Sequence, residues 1–232
     1  MKKNIPALLI ALGIVVLGWF IYSALNNLAY RDRQVQVRGL AEKEVMANKV
    51  TWPLVMKNLG NNLPQLYEQI NTTNAIAIKF LKENGISEDE ISVNEPVVFD
   101  KDAQRYGGND NSPYRYTVTE VITVTSSQVE KVNALIKRQA ELLKQGVALS
   151  NDYEYQTLYE YTGLNDIKPE MIAEATRNAR EAAKKFAEDS ESDLGKIKSA
   201  TQGQFSIEDR DAYTPYIKNV RVVTYITYYL ED

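Results

Sequence analysis

The side chains able to do chemistry in this sequence are carboxylates, Lys, Ser, Thr and Tyr, because the chain has neither Cys nor His. Ser-His-Asp and Cys-His catalysis, thiol redox centres, and zinc or haem sites with Cys or His ligands are therefore excluded. Paired carboxylates can act as general acid and base. They occur at Glu88 to Glu90 and at Asp189 to Asp193, where predicted helices end, and such positions favour solvated surface. We assign no catalytic residue and predict that the protein is not an enzyme.

The polar loop KDAQRYGGNDNSP is the second place where chemistry is conceivable. Four possible oxygen ligands for Ca²⁺ lie in it or beside it: Asp100, Asp102, Asn109 and Asp110. Their spacing fits no calcium-loop motif, and Asp and Asn favour turns through their own hydrogen bonds. The sequence Tyr106-Gly107-Gly108 matches no phosphate-binding pattern. We predict no metal and no cofactor.

Four tyrosines in the stretch DYEYQTLYEYTG form the most distinctive cluster: Tyr153, Tyr155, Tyr159 and Tyr161. Successive residues of a strand face opposite sides, so a strand over residues 153–161 would place all four rings on one face. Covered by a helix, these rings would be core. Exposed, they would form an apolar patch of the kind that marks a subunit interface or a ligand surface. The sequence leaves these three alternatives open.

Alternation and helical spacing predict the elements that must position these side chains. Strands are predicted over residues 35–56 (one or two strands), 91–99, 114–125, 153–161, 195–207 and 217–230, and helices over 62–83, 127–144 and 169–189. Pro53 indicates an edge strand or a bulge. Ser127 and Glu130 have the spacing of a capping box.

The predicted order is strand-helix-strand-strand twice, with the helix from Ser127 as the bridge. This order predicts an α+β fold in which helices pack on one face of a largely antiparallel sheet. The predicted buried face of the last helix consists of Ile172, Ala175, Ala179, Ala182 and Phe186.

The N-terminus predicts a membrane anchor. No charged side chain occurs between Lys3 and Arg31, and the apolar run from Ile5 to Leu25 would be about 30 Å long as a helix. A cleaved signal peptide is the rival interpretation, but its apolar region is usually shorter and ends at a small-residue site. We therefore expect residues 1–30 to be an uncleaved transmembrane anchor and tether, and residues 31–232 to be one domain. The formal net charge of −4 and the lack of a basic cluster argue against nucleic-acid binding.

The order of several segments resembles the SIMPL-domain family, mostly bacterial envelope proteins of poorly defined function. The segments are VQVRGLAEKEVMANKVTWPLVM, FLKENGISEDEI, MIAEATRNAREAAKKFAEDSESDLGKIKSATQG and VRVVTYITYYL. Typical family features match Gly39, Gly85 with Ile86, the Ala-spaced helix over 173–187, and Leu194-Gly195 with Ile197. Many members have Pro-Asp where this chain has Asn48-Lys49.

The resemblance implies an α+β fold, an extracytoplasmic setting and a tendency to form homo-oligomers, but no agreed activity. With the predicted anchor, it suggests a single-pass protein of the inner (cytoplasmic) membrane whose domain faces the periplasm or the cell exterior. We expect a non-catalytic envelope module that self-assembles or binds a protein partner whose identity the sequence does not give. The alternative is a small-ligand-binding protein with a tyrosine-lined pocket.

Overall fold

The structure is a computed structural model that describes residues 5–30, 33–103 and 112–231, with side chains throughout except at 5–9 and 25–30. The helices are α1 (Ile5–Tyr30), α2 (Leu63–Glu83), α3 (Val129–Arg138), α4 (Ala140–Lys144) and α5 (Leu164–Asp189). The strands are β1 (Gln34–Met46), β2 (Lys49–Gly60), β3 (Ile91–Val93), β4 (Val97–Asp100), β5 (Tyr116–Ser126), β6 (Leu149–Ser150), β7 (Leu158–Glu160), β8 (Asp193–Gln202), β9 (Ser206–Asp209) and β10 (Ile217–Glu231). The α+β class is confirmed.

The chain divides into two compact units. Unit 1 comprises Met1–Lys43, Asn165–Glu208 and Asn219–Asp232, and unit 2 comprises Glu44–Leu164 and Asp209–Lys218. The strands accordingly form two sheets, of four and six strands, where the sequence predicted one.

Unit 2 is built on the six-stranded sheet, with order β3-β5-β2-β6, to which β4 adds on β5 and β7 on β2. The described pairings are antiparallel. The pair β2 and β5 runs without interruption from Val50 opposite Ser126 to Gly60 opposite Tyr116. Because strand residues alternate, one face of this pair collects large buried apolar side chains: Val50, Trp52, Leu54, Met56, Ile122 and Val124.

Pro53 lies in the interior strand β2, and the pairing with β5 has no bulge there, but at this position one side of β2 is locally an edge. On one side it is opposite Thr123 of β5. On the other side, β7 pairs only with residues 49–51 of β2 and β6 only with residues 55–56. Proline has no N–H to donate to a neighbouring strand. Pro53 lies in the gap between β7 and β6, where no described strand is present to accept an N–H from β2. The missing N–H therefore costs no hydrogen bond of the sheet.

Helix α2 begins and ends as the sequence predicts. The Asn62 side chain accepts the N–H of Gln65 at 3.2 Å, Pro64 occupies the first turn, and Gly85 follows the helix with φ +81°. Glycine adopts that left-handed conformation without steric cost. The buried face of α2 packs, together with α3 and α4, on the apolar face of the sheet: Leu66, Ile70, Ala77, Phe80 and Leu81.

The start of α3 corrects the predicted capping box at Ser127. The residue that precedes the helix is Gln128, whose side chain makes no capping bond; its N–H donates instead to the Ser126 hydroxyl at 3.0 Å. The reciprocal pattern occurs at the same motif in Ser87-Glu88-Asp89-Glu90, where the Glu90 carboxylate accepts the Ser87 N–H at 2.9 Å. The predicted single helix is also divided, at Gln139, into α3 and α4.

Unit 1 contains a four-stranded sheet with order β1-β10-β8, and β9 also pairs with β10. Helix α5 begins at Leu164, one turn before the predicted start at Pro169. Its buried residues recur every fourth position: Met171, Ala175, Ala179, Ala183 and Ala187. The predicted face is therefore correct at Ala175 and Ala179, while Ile172 is half-buried. It is wrong at Ala182 and at Phe186, which is 52% exposed.

Helix α1 covers the segment that the sequence predicts to be a membrane anchor. Its large apolar side chains are exposed over the described part, among them Ile10, Trp19 and Phe20. Of the residues that the structure describes, none belong to a helix both long and apolar enough to cross a membrane. The transmembrane anchor therefore stays a prediction.

Candidate binding surfaces

The four predicted tyrosines do not share one strand face. Residues 153–155 form a turn and bend, and β7 spans only Leu158–Glu160, so the predicted strand over 153–161 is wrong outside β7. Two contacts of Asp152 fix the turn: its carbonyl accepts the N–H of Tyr155 at 3.1 Å, and its carboxylate lies 2.7 Å from Lys57 Nζ. Asn and Asp favour turns, and here the turn preference of Asn151-Asp152 outweighs the strand preference of the alternating residues that follow.

The turn sends the four rings to different places. Tyr153 is 92% exposed and lines a recess of about 440 Å³ with Tyr155. Tyr161 is partly buried, and its hydroxyl donates to the carbonyl of Gly163 at 3.0 Å. Tyr159 packs against the core of unit 2 and lines a second and larger recess. Of the four, Tyr159 is the one found in that larger site.

The larger recess, which we call the tyrosine groove, has a volume of about 730 Å³ and lies within unit 2. Its apolar wall consists of Met46, Ile136, Tyr159, Tyr213, Pro215 and Tyr216, and polar side chains come from α3 at Glu130, Asn133 and Lys137. Concave, mostly apolar recesses with a few polar groups are the usual form of small-molecule sites.

Strand β7 and helix α3 fix the position of Tyr159 in the groove. Tyr159 is opposite Val50 in the pairing of β7 with β2. Its hydroxyl donates to Asn133 Oδ1 at 2.5 Å, and its ring packs edge-on against Tyr216 with centroids 6.1 Å apart. Burial, with a smaller contribution from Tyr216, raises the pKa of Tyr159. The phenol is therefore neutral at physiological pH and acts as a hydrogen-bond donor.

A tight turn before β10 supplies the rest of the aromatic wall. The Asp211 carboxylate accepts the N–H groups of Tyr213 and Thr214, both at 2.8 Å, and also bonds the Thr214 hydroxyl. These contacts and Arg210 lower the pKa of Asp211 to about 2, with the Thr214 hydroxyl as the largest cause. The carbonyl of Tyr216 accepts the Ala47 N–H at 2.8 Å. The turn thereby holds Tyr216 in the groove and leaves Tyr213 93% exposed.

Sequence reasoning missed Tyr213 and Tyr216, although DAYTPY carried a usable signal. It places two tyrosines around Thr214-Pro215, next to an Asp able to close a turn. Exposed aromatic residues on a turn that is held by hydrogen bonds are candidates for binding. The missing information was the long-range pairing that brings this turn beside Tyr159.

A second candidate surface lies at one edge of the six-stranded sheet, and we call it the β4 edge. Val97, Val98 and Phe99 are 63%, 49% and 45% exposed. Strand β4 pairs with β5 on one side, and no other described strand pairs with it. Both faces of β4 therefore present exposed apolar side chains, while its free side presents unpaired backbone N–H and C=O groups. Natural edge strands usually avoid this combination.

The end of the β4 edge is fixed by an ion pair that involves two of the four residues considered above as possible Ca²⁺ ligands, Asp100 and Asp102. Arg115 Nε and Nη2 donate to the two carboxylate oxygens of Asp100 at 2.9 and 2.8 Å, and Nε lies 3.2 Å from Asp102. Arg115 lowers the pKa of Asp100. Asn109 and Asp110, like Tyr106-Gly107-Gly108, lie outside the described residues. Within the described ranges, no three acidic side chains come together as a metal site would require.

The two carboxylate clusters at helix ends make structural contacts. Glu90 accepts the Ser126 hydroxyl at 2.6 Å, and this bond is the largest cause of its lowered pKa. Glu88 pairs with Lys82, and Asp189 with Lys185. These side chains stabilise the ends of α2 and α5.

A comparison with protein families matches residues 35–222 to the model for SIMPL, described as a protein of unknown function (DUF541). The match covers most of the chain. This protein belongs to the SIMPL family. No curated protein matches it.

The motifs that carry the SIMPL resemblance have structural roles within the units. A Cβ on Gly39 would lie 1.8 Å from the carbonyl oxygen of Ala175, so β1 and α5 approach closely there. Gly85 ends α2, and Ile86 is buried in the core of unit 2. A Cβ on Gly195 would lie 3.0 Å from the carbonyl oxygen of Tyr229, which shows the close pairing of β8 with β10. These motif residues therefore shape the backbone and the core of each unit.

The pair Asn48-Lys49, which stands where many SIMPL proteins have Pro-Asp, helps to build the tyrosine groove. Asn48 Oδ1 accepts both the N–H of Thr162 at 2.9 Å and its hydroxyl at 3.1 Å. Lys49 Nζ lies 2.8 Å from the Glu160 carboxylate. Both contacts hold the chain that follows Tyr159 against the start of β2.

Proposed function

We propose that this SIMPL protein is a membrane-anchored, extracytoplasmic and non-catalytic module of the cell envelope that self-assembles. The observation that carries the proposal is the β4 edge, where Val97, Val98 and Phe99 are exposed and no described strand covers the free side. An edge strand offers a row of unpaired N–H and C=O groups to another strand. The occupant we propose is the β4 edge of a second copy of the chain.

The sequence around β4 suits pairing with itself. In an antiparallel pair centred on Val98, Val97 of one copy lies opposite Phe99 of the other, and the reverse contact is identical. A two-fold symmetric interface requires such self-complementarity. β4 spans only Val97–Asp100, so the proposed pair is short and centres on these apolar residues. An interface of this kind joins apolar contacts to a continuous hydrogen-bond ladder.

Single-cysteine cross-linking tests this register, because the chain has no Cys of its own. Directly opposed residues of antiparallel strands have Cα atoms about 4.5–5.5 Å apart, within the range of a disulfide. The full-length Val98→Cys protein in mild detergent should therefore form a disulfide-linked dimer under gentle oxidation. Leu158→Cys is the matched control, since Leu158 is also an exposed apolar residue, on β7 of the same sheet. Equal cross-linking at both positions would contradict the register.

A charged side chain at position 98 tests self-assembly without a cross-linking reaction. Val98→Lys places two like charges opposite each other, and sedimentation of the full-length protein should change from dimer or larger towards monomer. Leu158→Lys should leave the sedimentation unchanged. A wild-type protein that stays monomeric at every accessible concentration would refute self-assembly.

The anchor and the location are part of the same proposal and rest on the N-terminal sequence. The segment without charged residues between Lys3 and Arg31 supports an anchor, and the family resemblance supports an extracytoplasmic domain. In a bacterial host, the protein should stay in the membrane fraction after alkaline extraction. After the outer envelope has been opened and the inner membrane left intact, protease added from outside should digest the domain. Release of the protein from the membrane by salt or alkali would refute the anchor. Protection of the domain from the protease would refute its extracytoplasmic location.

The alternative function, binding of a small ligand, is favoured by the tyrosine groove. Edge-packed Tyr159 and Tyr216 with Pro215 offer an apolar wall, and Asn133 and Lys137 supply polar contacts. A fragment screen by NMR with small aromatic compounds should give hits whose binding is lost in Tyr216→Ala. Tyr67→Ala is the control, because Tyr67 is an exposed tyrosine on α2. Hits that survive Tyr216→Ala would remove the groove from consideration.

A further inference from the structure

Asn74 of α2 and Glu120 of β5 form a polar pair inside the otherwise apolar interface between helix and sheet. Asn74 Nδ2 donates to Glu120 Oε1 at 3.2 Å, and Glu120 is only 1% exposed. Neighbouring residues on the same face of β5 are Val118 and Ile122, each buried in an apolar cluster. The pair therefore separates two parts of the core: the Glu120 side chain is buried, and Asn74 beside it is half-buried.

One oxygen on each side of this pair has no partner. Asn74 Oδ1 and Glu120 Oε2 are both buried, and neither accepts or makes a hydrogen bond with any residue that the structure describes. An ionised carboxylate and an amide oxygen can each accept hydrogen bonds, but neither can donate one. With Glu120 ionised, both oxygens are acceptors without a donor, which is costly in a buried site.

One proton resolves both deficits together. A neutral carboxyl group has an O–H donor beside its carbonyl acceptor, and a primary amide has an N–H donor beside its carbonyl acceptor. With a proton on Oε2, Glu120 can donate to Asn74 Oδ1 while Oε1 still accepts from Asn74 Nδ2. The two groups then form a reciprocal acid–amide pair with every buried polar atom satisfied.

No charged neighbour offers to stabilise the ionised form. The residues around Asn74 on α2 are Ile70 one turn before and Ala77 and Ile78 one turn after, and Met56 of β2 is opposite Glu120. Same-face neighbours of Met56 on β2 are Leu54 and Asn58, and across the other side of β5 the nearest paired residues are Val93 and Val97. The one titratable residue there is Glu95, which lies between them and is exposed. A second carboxylate favours the neutral form of Glu120 and does not stabilise its ionised form. Burial raises the pKa of Glu120, and the bond from Asn74 opposes it less strongly.

We propose that Glu120 is a neutral acid in the folded protein, that it closes a reciprocal hydrogen-bonded pair with Asn74, and that its ionisation loosens the docking of α2 on β5. The fold thus contains a pH-sensitive contact in unit 2. The proposal concerns the core of unit 2 and does not depend on the proposed assembly.

The direction of the pH effect follows from proton linkage. A carboxyl group that holds its proton more tightly when folded gives its full stabilisation below the pKa of the unfolded chain, about 4.3 for Glu. That stabilisation is lost as the pH rises towards the folded-state pKa, because in this range the unfolded chain binds fewer protons than the folded protein. Each unit by which folding raises the pKa lowers the folded-to-unfolded ratio about tenfold at higher pH.

Glu120→Gln tests the proposal in the full-length protein in detergent. Glutamine keeps the shape and supplies a permanent N–H donor for Asn74 Oδ1, so the variant should be the more stable protein at pH 8 and lose that advantage towards pH 4. Stability is measured by denaturant unfolding across this range. Glu68→Gln is the matched control, since Glu68 is an exposed carboxylate on the same helix, and it should show no such pH trend.

The carboxyl ¹³C resonance of Glu120, assigned by its loss in Glu120→Gln, reports the proton directly. It should keep the chemical shift of a protonated acid to a pH above that at which exposed glutamates ionise. A stability difference that does not change with pH would overturn the proposal. So would a resonance that titrates together with that of Glu68.

Discussion

Gly39 of β1 lies so close to α5 that a methyl group on its Cα would sit 1.8 Å from the carbonyl oxygen of Ala175. The backbone N of Ala179 would be only 2.6 Å away, so the obstacle is main chain on both sides. A strand and a helix can approach this closely only if the facing residues are small. The buried alanines of α5, one every fourth residue, meet that requirement.

We expect Gly39→Ala to destabilise unit 1 by about 3 kcal/mol or more, because α5 must move away from the sheet and the core must open. Denaturant unfolding of the full-length protein measures the loss. Gly13→Ala is the control, since a Cβ on Gly13 meets no atom within 4 Å. A Gly39→Ala protein with wild-type stability would show that the approach of β1 to α5 is looser than described.

Asp211→Asn should destabilise the turn that presents Tyr213, and the effect should depend on pH. Folding lowers the pKa of Asp211 to about 2, so its contribution is complete above the unfolded pKa of about 3.9 and is lost as pH falls towards 2. The wild-type protein should therefore be more stable than the variant at neutral pH, and the two should converge in acid. Glu208→Gln, at an exposed carboxylate just before the turn, should not change this profile.

Tyr159→Phe should lower the free energy of unfolding by about 1 kcal/mol, because Asn133 loses its hydrogen-bond donor in a partly buried site. Combining it with Asn133→Ala in a double-mutant cycle isolates the pair, and a coupling energy of similar size is expected. Tyr161→Phe is a useful comparison, since the Tyr161 hydroxyl bonds a carbonyl only two residues away. A coupling energy near zero would mean that the hydroxyl does not help to hold β7 on α3.

Local signals in the sequence were sufficient where the structure depends on local chemistry. The boundaries of α2 follow from Asn62, Pro64 and Gly85, each of which acts within one turn of the helix. The alternation in YRYTVTEVITVT marks β5, because one face of that strand is buried along its length. The α+β class followed from these elements.

Local signals failed where tertiary contacts choose between equal patterns. Ser-x-x-Glu occurs at Ser87 and at Ser127, and the Ser126 hydroxyl, by bonding both Glu90 and the N–H of Gln128, decides which one forms the box. The buried face of α5 is set by Gly39, more than 130 residues earlier in the chain. The tyrosine groove likewise joins Tyr159 to a turn some 50 residues later. None of these choices is visible within a window of a few residues.

The division of the chain between its two units has a consequence for biosynthesis. Unit 1 combines stretches from both ends of the sequence, since β1 pairs with β10, whereas unit 2 is mostly the continuous stretch Glu44–Leu164. During synthesis, contacts between residues close in sequence can form early. Contacts between distant residues form later, because they require the closure of a long loop. We expect unit 2 to gather most of its core while β1 still lacks its neighbour. β10, which is synthesised long after β1, is therefore the strand that gives β1 its place.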